Sequence, residues 1–186
     1  KSNAMSSTVV SSREVRGLIQ NGTWGPIQLG NGSSTIGRGG CLLTALTMAV
    51  NALRGLSMTP PEVNTLGKSN GVFAPGSSEM DPAALSRALG LVIVKRIRNE
   101  PTNLTGMVDV VNTALVANGL AIVHVDYTGD QRGDHFVLVN GRTPTGYTAV
   151  DPVSGKTITL DSNLRGESAW GTNNIKHYAP AGAFSL

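Results

Sequence analysis

The chain has 186 residues, a length for one domain built as two lobes, and at 40% hydrophobic and 15% charged it can bury a core and is not a disordered chain. Its net charge of +3, from 15 Lys and Arg against 12 Asp and Glu, is too small a surplus to point to nucleic acid or an anionic membrane, despite a pI near 9.3. No stretch reaches the roughly 18 apolar residues of a membrane span, and one cysteine with no zinc-like Cys/His spacing leaves neither a disulfide framework, a metal site nor any other cofactor to expect.

Ser2-Asn3-Ala4 ahead of Met5 reads as a tag remnant, so residues 1–4 are set aside and 5–186 are read as one domain. The expected division is a helical lobe over about 11–90 and a sheet lobe over about 91–186. The stretch after Met5 lacks the basic, apolar and small-residue order of an export signal. A cytoplasmic location is expected on that basis, with delivery as an effector or in a phage particle as the alternative.

Ser11 to Gln20 has Val15, Leu18 and Ile19 at spacings that predict a short amphipathic helix, followed by an irregular glycine-rich loop over Asn21–Gly40. Cys41 opens the clearest helix. Leu42, Leu46, Ala49, Val50 and Leu53 form a stripe at helical spacing, and Gly55 is its stop. Thr59-Pro60 and Asp81-Pro82 start two shorter helices that Gly71 and Gly90 end, because Pro at the first helical position loses no hydrogen bond. Leu91–Arg98 reads as a strand. A further helix is predicted from about Thr105 to Asn118, with Val108, Val111 and Leu115 inward and Gly119 as its cap. Strands follow at Leu120–Asp126, His135–Asn140, Tyr147–Asp151 and Lys156–Leu160, separated by Gly-, Asp- and Pro-containing turns. Helices first and an antiparallel sheet second is α+β organisation.

Three residues carry the chemistry. Gly39-Gly40-Cys41 sets a thiol at the first turn of a helix, where unpaired backbone N–H groups favour a thiolate, and the glycines leave room for a substrate backbone. Taken alone, a single cysteine is more often a small buried hydrophobe. His135 and Asp151 lie at the two ends of a predicted hairpin. If Asn140 faces Gly146, they stand directly opposite on one face with Cβ atoms roughly 4.5–5.5 Å apart, and the carboxylate would fix the imidazole tautomer. That register takes Arg142–Gly146 as a loop longer than a two-residue turn, and a slip of one residue would separate the pair. Each has an ordinary alternative: a strand-start histidine, and an Asp-Pro turn.

At these residues the chain resembles a known family. Gln20 and Trp24, then Thr35-Ile-Gly-Arg-Gly-Gly-Cys41-Leu-Leu-Thr-Ala-Leu-Thr-Met-Ala-Val50, His135-Phe-Val-Leu-Val-Asn-Gly141 and Tyr147-Thr-Ala-Val-Asp-Pro152, are similar to family thirty-nine of the cysteine peptidases. These are the bacteriocin-processing or double-glycine leader peptidases, and the likeness is to stand-alone members. The resemblance implies a papain-like fold with Cys41 as nucleophile, His135 as general base and acid, and Asp151 orienting the histidine. It also implies an oxyanion-binding glutamine ahead of the cysteine, with Gln20 the first choice and Gln28 the second. Transporter-linked members carry that glutamine a few residues before the cysteine, where this chain has Thr35 and no Gln.

The expected activity is therefore cysteine-dependent hydrolysis of peptide or isopeptide bonds by acyl transfer, on a peptide or protein substrate, with Gly39, Gly40 and Trp24 as substrate-binding residues. Trp24 reads more readily as a packing anchor for its loop. The alternatives are a cell-wall amidase or endopeptidase of the NlpC type acting on peptidoglycan peptides, and a non-catalytic peptide-binding module on the same scaffold. Gly40 in place of the Asp that usually precedes the NlpC-type cysteine speaks against the first. His124 reads as a structural histidine, His177 as a residue beyond the last strands, and Lys95, Arg96 and Arg98 as charges guarding a strand edge. Oligomeric state leaves no mark in the sequence.

Overall fold

The computed structural model describes residues 11–127, 133–169 and 175–186. Residues 1–4, set aside above, lie outside them. Where local capping chemistry is strong, the helices begin and end as it dictates. A one-turn helix α1 (Ile36–Gly39) interrupts the glycine-rich loop, with Thr35 as its cap. The long helix α2 (Cys41–Arg54) buries Leu42, Leu46, Ala49 and Val50, and stops at Gly55, whose φ of 63° is left-handed. Helix α3 (Pro60–Ser69) starts after Thr59, whose N–H donates to the Glu62 carboxylate, and α4 (Pro82–Ala88) starts under Asp81, whose Oδ1 accepts from the Ala83 N–H. Helix α5 (Leu104–Val116) is capped by Asn103 and buries Met107, Val110, Val111, Ala114 and Leu115. Val108 is only half-buried, and the left-handed residue after the helix is Asn118, not Gly119.

The strands are β1 (Ser11–Ser12), β2 (Arg96–Ile97), β3 (Ala121–Asp126), β4 (His135–Thr143), β5 (Gly146–Asp151), β6 (Lys156–Asp161), β7 (Gly166–Ala169) and β8 (Ile175–Ser185). They pair antiparallel in the order β2-β8-β3-β4-β5-β6, with β1 added on β4 and β7 on β8. The architecture is α+β. Alternation along the strands sorts the core into two layers. Leu120, Ile122, Leu138 and Val150 pack against α2, α3 and α4, while Val123, Val137, Val139 and Ala149 pack against α5. Both faces of the sheet are thus covered, and each fully buried Leu or Val contributes roughly 1.5–3 kcal/mol.

Four sequence expectations are overturned. Ser11–Gln20 forms no helix. Its start is β1 and the rest has no regular structure, because Arg13 N–H bonds the Asn140 carbonyl and Gln20 N–H bonds the Pro152 carbonyl; tertiary pairing outweighs three apolar residues at helical spacing. Of Leu91–Arg98 only Arg96–Ile97 pairs as strand, and Val92 and Val94 are exposed. His177 does not follow the last strand but lies within β8, paired in register with Glu167 of β7, and its side chain is outside the described residues. The β4–β5 hairpin has a tight turn at Pro144-Thr145 and a different register, with consequences for the site.

Candidate active site

Two features of the β4–β5 hairpin set His135 and Asp151 on one face. The tight turn pairs Thr143 with Gly146 and Gly141 with Thr148. Carried on unbroken, that register would place Asp151 opposite Leu138, which faces α2, and so on the other face from His135. The register instead shifts between Val139 and Gly141, leaving Asn140 as an extra, unpaired residue of a bulge. Beyond the bulge Leu138 pairs with Val150, so Asp151 falls opposite Val137 and diagonally from His135. The pair is diagonal rather than directly opposed, and the two side chains close the gap. His135 Nε2 lies 2.7 Å from Asp151 Oδ1. Asn140 is itself fixed: its Nδ2 donates to the Arg13 carbonyl and its Oδ1 accepts from Thr148 Oγ1.

The Asp151 carboxylate accepts from Nε2–H, which leaves Nδ1 as the ring nitrogen of His135 for Cys41. Burial alone would push the His135 pKa down. The hydrogen bonds to Asp151 and Cys41 and the charges of both outweigh it and raise the value to about 9. Burial likewise works to raise the Asp151 pKa, but the His135 hydrogen bond and charge, together with Tyr178 and the Val153 N–H, hold it below its ordinary value. Both side chains are almost fully buried, so each polar atom depends on its partners. Val153 N–H donates to Oδ1, and the hydroxyl of Tyr178 donates to Oδ2. The Tyr127 ring packs on His135 with centroids 4.8 Å apart.

Cys41 is half-buried at the first turn of α2. The first bond of that helix ladder runs from Thr44 N–H to the Gly40 carbonyl, so the N–H groups of Cys41, Leu42 and Leu43 lie ahead of it. Gln20 closes the irregular segment after β1 and packs beside α1, the helix that precedes Cys41. Its N–H bonds the Pro152 carbonyl at 2.8 Å, and its buried side chain donates from Nε2 to the Gly37 carbonyl of α1 at 3.1 Å. One Nε2 proton remains, and Oε1 is buried without a partner. Gly17 lets this segment lie against the turn after Asp151, since a Cβ there would meet the Gly155 carbonyl. Gln28 is exposed, and its Nε2 is committed to the Gly32 carbonyl at 2.7 Å.

Cys41 opens onto a cleft of about 530 Å³ between α2, the loop before α4, β2 and the sheet. Gly39 lines it. Gly40 does not: it is buried, and a Cβ on it would strike the Ile36 carbonyl, so glycine is required there by the α1–α2 junction. Trp24 does not line it either. Its indole N–H donates to the Ile19 carbonyl and its ring packs against the core. The floor carries His124 stacked on Phe136, centroids 4.1 Å apart and nearly parallel.

Compared with protein-family models and with curated protein sequences, the chain matches none. Among the described residues no group of three or more His, Cys, Asp and Glu side chains is placed to hold a metal ion, and no helix is long and apolar enough to cross a membrane. The arrangement can therefore be read only through its own side chains. Sequence reasoning missed Tyr178, Tyr127 and Phe136. Phe136 and His124 alternate in phase with their own strands and pair across them, so a correct β3–β4 register would have put both on one face; Tyr178 needed β8, which the sequence did not announce.

Proposed function

We propose that this protein is a thiol hydrolase of peptide or isopeptide bonds on a papain-like scaffold, with Cys41, His135 and Asp151 as its catalytic residues. The observation that carries this reading is a buried imidazole that bonds the Asp151 carboxylate at 2.7 Å and interacts with the thiol of Cys41, which lines a cleft. An imidazolium at His135 keeps a thiolate beside it as an ion pair. The thiolate attacks the carbonyl carbon of the scissile amide, and the carbonyl electron pair moves to oxygen. The Cys41 N–H and the remaining Nε2–H of Gln20 hold that oxyanion. His135 gives its proton to the departing amine, leaving a thioester on Cys41. Neutral His135 then takes a proton from water, whose attack releases the acid and restores the thiolate. Asp151 keeps the ring in the productive tautomer throughout.

Alkylation with iodoacetamide at pH 7, followed by intact mass, tests the reading. Cys41 is expected to label about tenfold or more faster than N-acetylcysteine, and His135→Ala to remove that advantage. Labelling at the rate of the free thiol overturns the proposal.

A further inference from the structure

Lys95, Arg96 and Arg98 look alike in sequence but do different things. Lys95 turns to α5 and pairs with Asp109 at 2.9 Å between two exposed side chains. Arg96 and Arg98, two apart on an extended segment, share the other face, and both line the cleft that Cys41 opens onto. The Arg96 guanidinium lies over the Phe184 ring, 5.8 Å from its centroid, with Nη1 buried and without a hydrogen-bond partner. Its nearest carboxylate oxygen, Asp81 Oδ1, is 3.8 Å away and already accepts from the α4 N-terminus.

We propose that Arg96 and Arg98 form a subsite for a carboxylate of the peptide substrate, so that the cleft selects peptides carrying an acidic group at a fixed distance from the scissile bond. This rests on the thiol hydrolase reading and adds its substrate class. A guanidinium fork matches a carboxylate with two parallel hydrogen bonds, and Arg96 is pre-positioned by its aromatic neighbour, so little side-chain freedom is lost on binding. Without an anion, the two arginines face an unfavourable balance. Burial and the Arg98 charge both hold the Arg96 pKa below its usual range, and Asp81 only partly opposes them. A carboxylate entering between them would relieve the repulsion. Beside the site, Phe136, Phe184 and Ile97 supply apolar surface for the rest of the peptide. Glu79, exposed on the rim, disfavours an acid that binds off the arginines.

The test is the cleavage of a proteome-derived peptide library by the full chain, with cut positions read by mass spectrometry. An Asp or Glu side chain as the anchor gives enrichment at one position; a free α-carboxylate gives cuts at one distance from the C-terminus. Synthetic pairs then separate the sources: Glu→Gln in the peptide for the first, C-terminal amidation for the second. The matching change is expected to lower kcat/KM about tenfold. Arg98→Gln, at an exposed position with no core role, is expected to bring the acid-to-amide ratio close to one. Arg98→Glu is expected to turn the preference toward basic peptides. Library cleavage with no acid or C-terminal preference, or a preference that survives both Arg98 variants and Arg96→Gln, overturns the subsite and leaves the hydrolase reading standing. Slow iodoacetamide labelling of Cys41 together with no cleavage overturns the hydrolase reading and the subsite with it.

Discussion

The hydroxyl of Tyr178 donates a hydrogen bond to Oδ2 of Asp151, the carboxylate oxygen that His135 leaves free. Tyr178 comes from β8, so the residue orienting the histidine is itself oriented by the middle of the sheet. Removing the hydroxyl leaves a buried anionic oxygen one partner short, which costs about 1–3 kcal/mol. Tyr178→Phe is expected to lower stability by that amount in urea denaturation and to reduce kcat more than it raises KM. Because Tyr178 is among the groups that hold the Asp151 pKa down, acid unfolding of this variant is expected to begin at higher pH than in the wild type. Identical acid-unfolding curves would show that the contact carries no energy.

The His135–Asp151 pair also fixes a pH signature. Hydrolysis needs the imidazolium that protonates the leaving amine, so kcat/KM is expected to fall as pH rises through about 9. Asp151→Asn removes the charge that raises the His135 value, and its alkaline limb is expected about one pH unit or more lower. For stability, the raised His135 value gives a contribution fully present below 6.5 and lost as pH rises through about 9. The lowered Asp151 value gives one present above 3.8 and lost as pH falls through its folded value. Melting temperature is therefore expected to be highest between those limits, with the alkaline decline smaller and setting in at lower pH in Asp151→Asn, where Cys41 alone still raises the His135 value. Coincident alkaline limbs in the two proteins would count against the pairing.

Helix ends were legible because their determinants sit within four residues of chain: Thr59-Pro60 and Asp81-Pro82 carry their own caps. Cys41, His135 and Asp151 were legible as residue types at element ends. The geometry joining the last two was not, because it depends on a two-residue turn and a bulge whose effects on register combine, and a bulge held by Arg13 and Thr148 has no local signature. Strand β8 carried no clear signal because Pro180 and Gly182 interrupt its strand pattern. Pro180 is tolerated inside the sheet because it sits where the pairing with β3 shifts register between His124 and Val125. With β8 unseen, the tyrosine behind Asp151 and the pairing of Arg96 with Phe184 were out of reach.

The bulge is testable through Asn140. Asn140→Ala loses the bonds to the Arg13 carbonyl and from Thr148, each worth about 1 kcal/mol. It is expected to fold with stability lowered by roughly 1–2 kcal/mol and to keep measurable activity, since the backbone can still bulge. Deleting residue 140 instead removes the extra residue and keeps Leu138 opposite Val150, so Asp151 stays opposite Val137 and on one face with His135. Fast alkylation of Cys41 is then expected to persist in molecules that retain the sheet, as judged by circular dichroism. Loss of fast labelling in a deletion variant that keeps the sheet would show that register alone does not set the pair.

Gln20 and Gln28 separate through the chemistry of the two assays. Hydrolysis builds negative charge on the carbonyl oxygen, whereas alkylation by iodoacetamide displaces iodide at a saturated carbon and builds none. A residue whose amide holds the oxyanion should therefore matter to the first reaction and not to the second. Gln20 is buried beside α1 with one Nε2 proton uncommitted, while Gln28 is exposed and its amide is spent on the Gly32 carbonyl. Gln20→Ala is expected to lower kcat/KM for peptide hydrolysis by about 10²–10³ while Cys41 still alkylates at close to the wild-type rate. Gln28→Ala is expected to leave both rates within about threefold, because an exposed turn bond is worth little. A hydrolysis defect confined to Gln28→Ala would transfer the role, and a parallel loss of alkylation in Gln20→Ala would mean that Gln20 supports the Cys41–His135 geometry instead of the transition state.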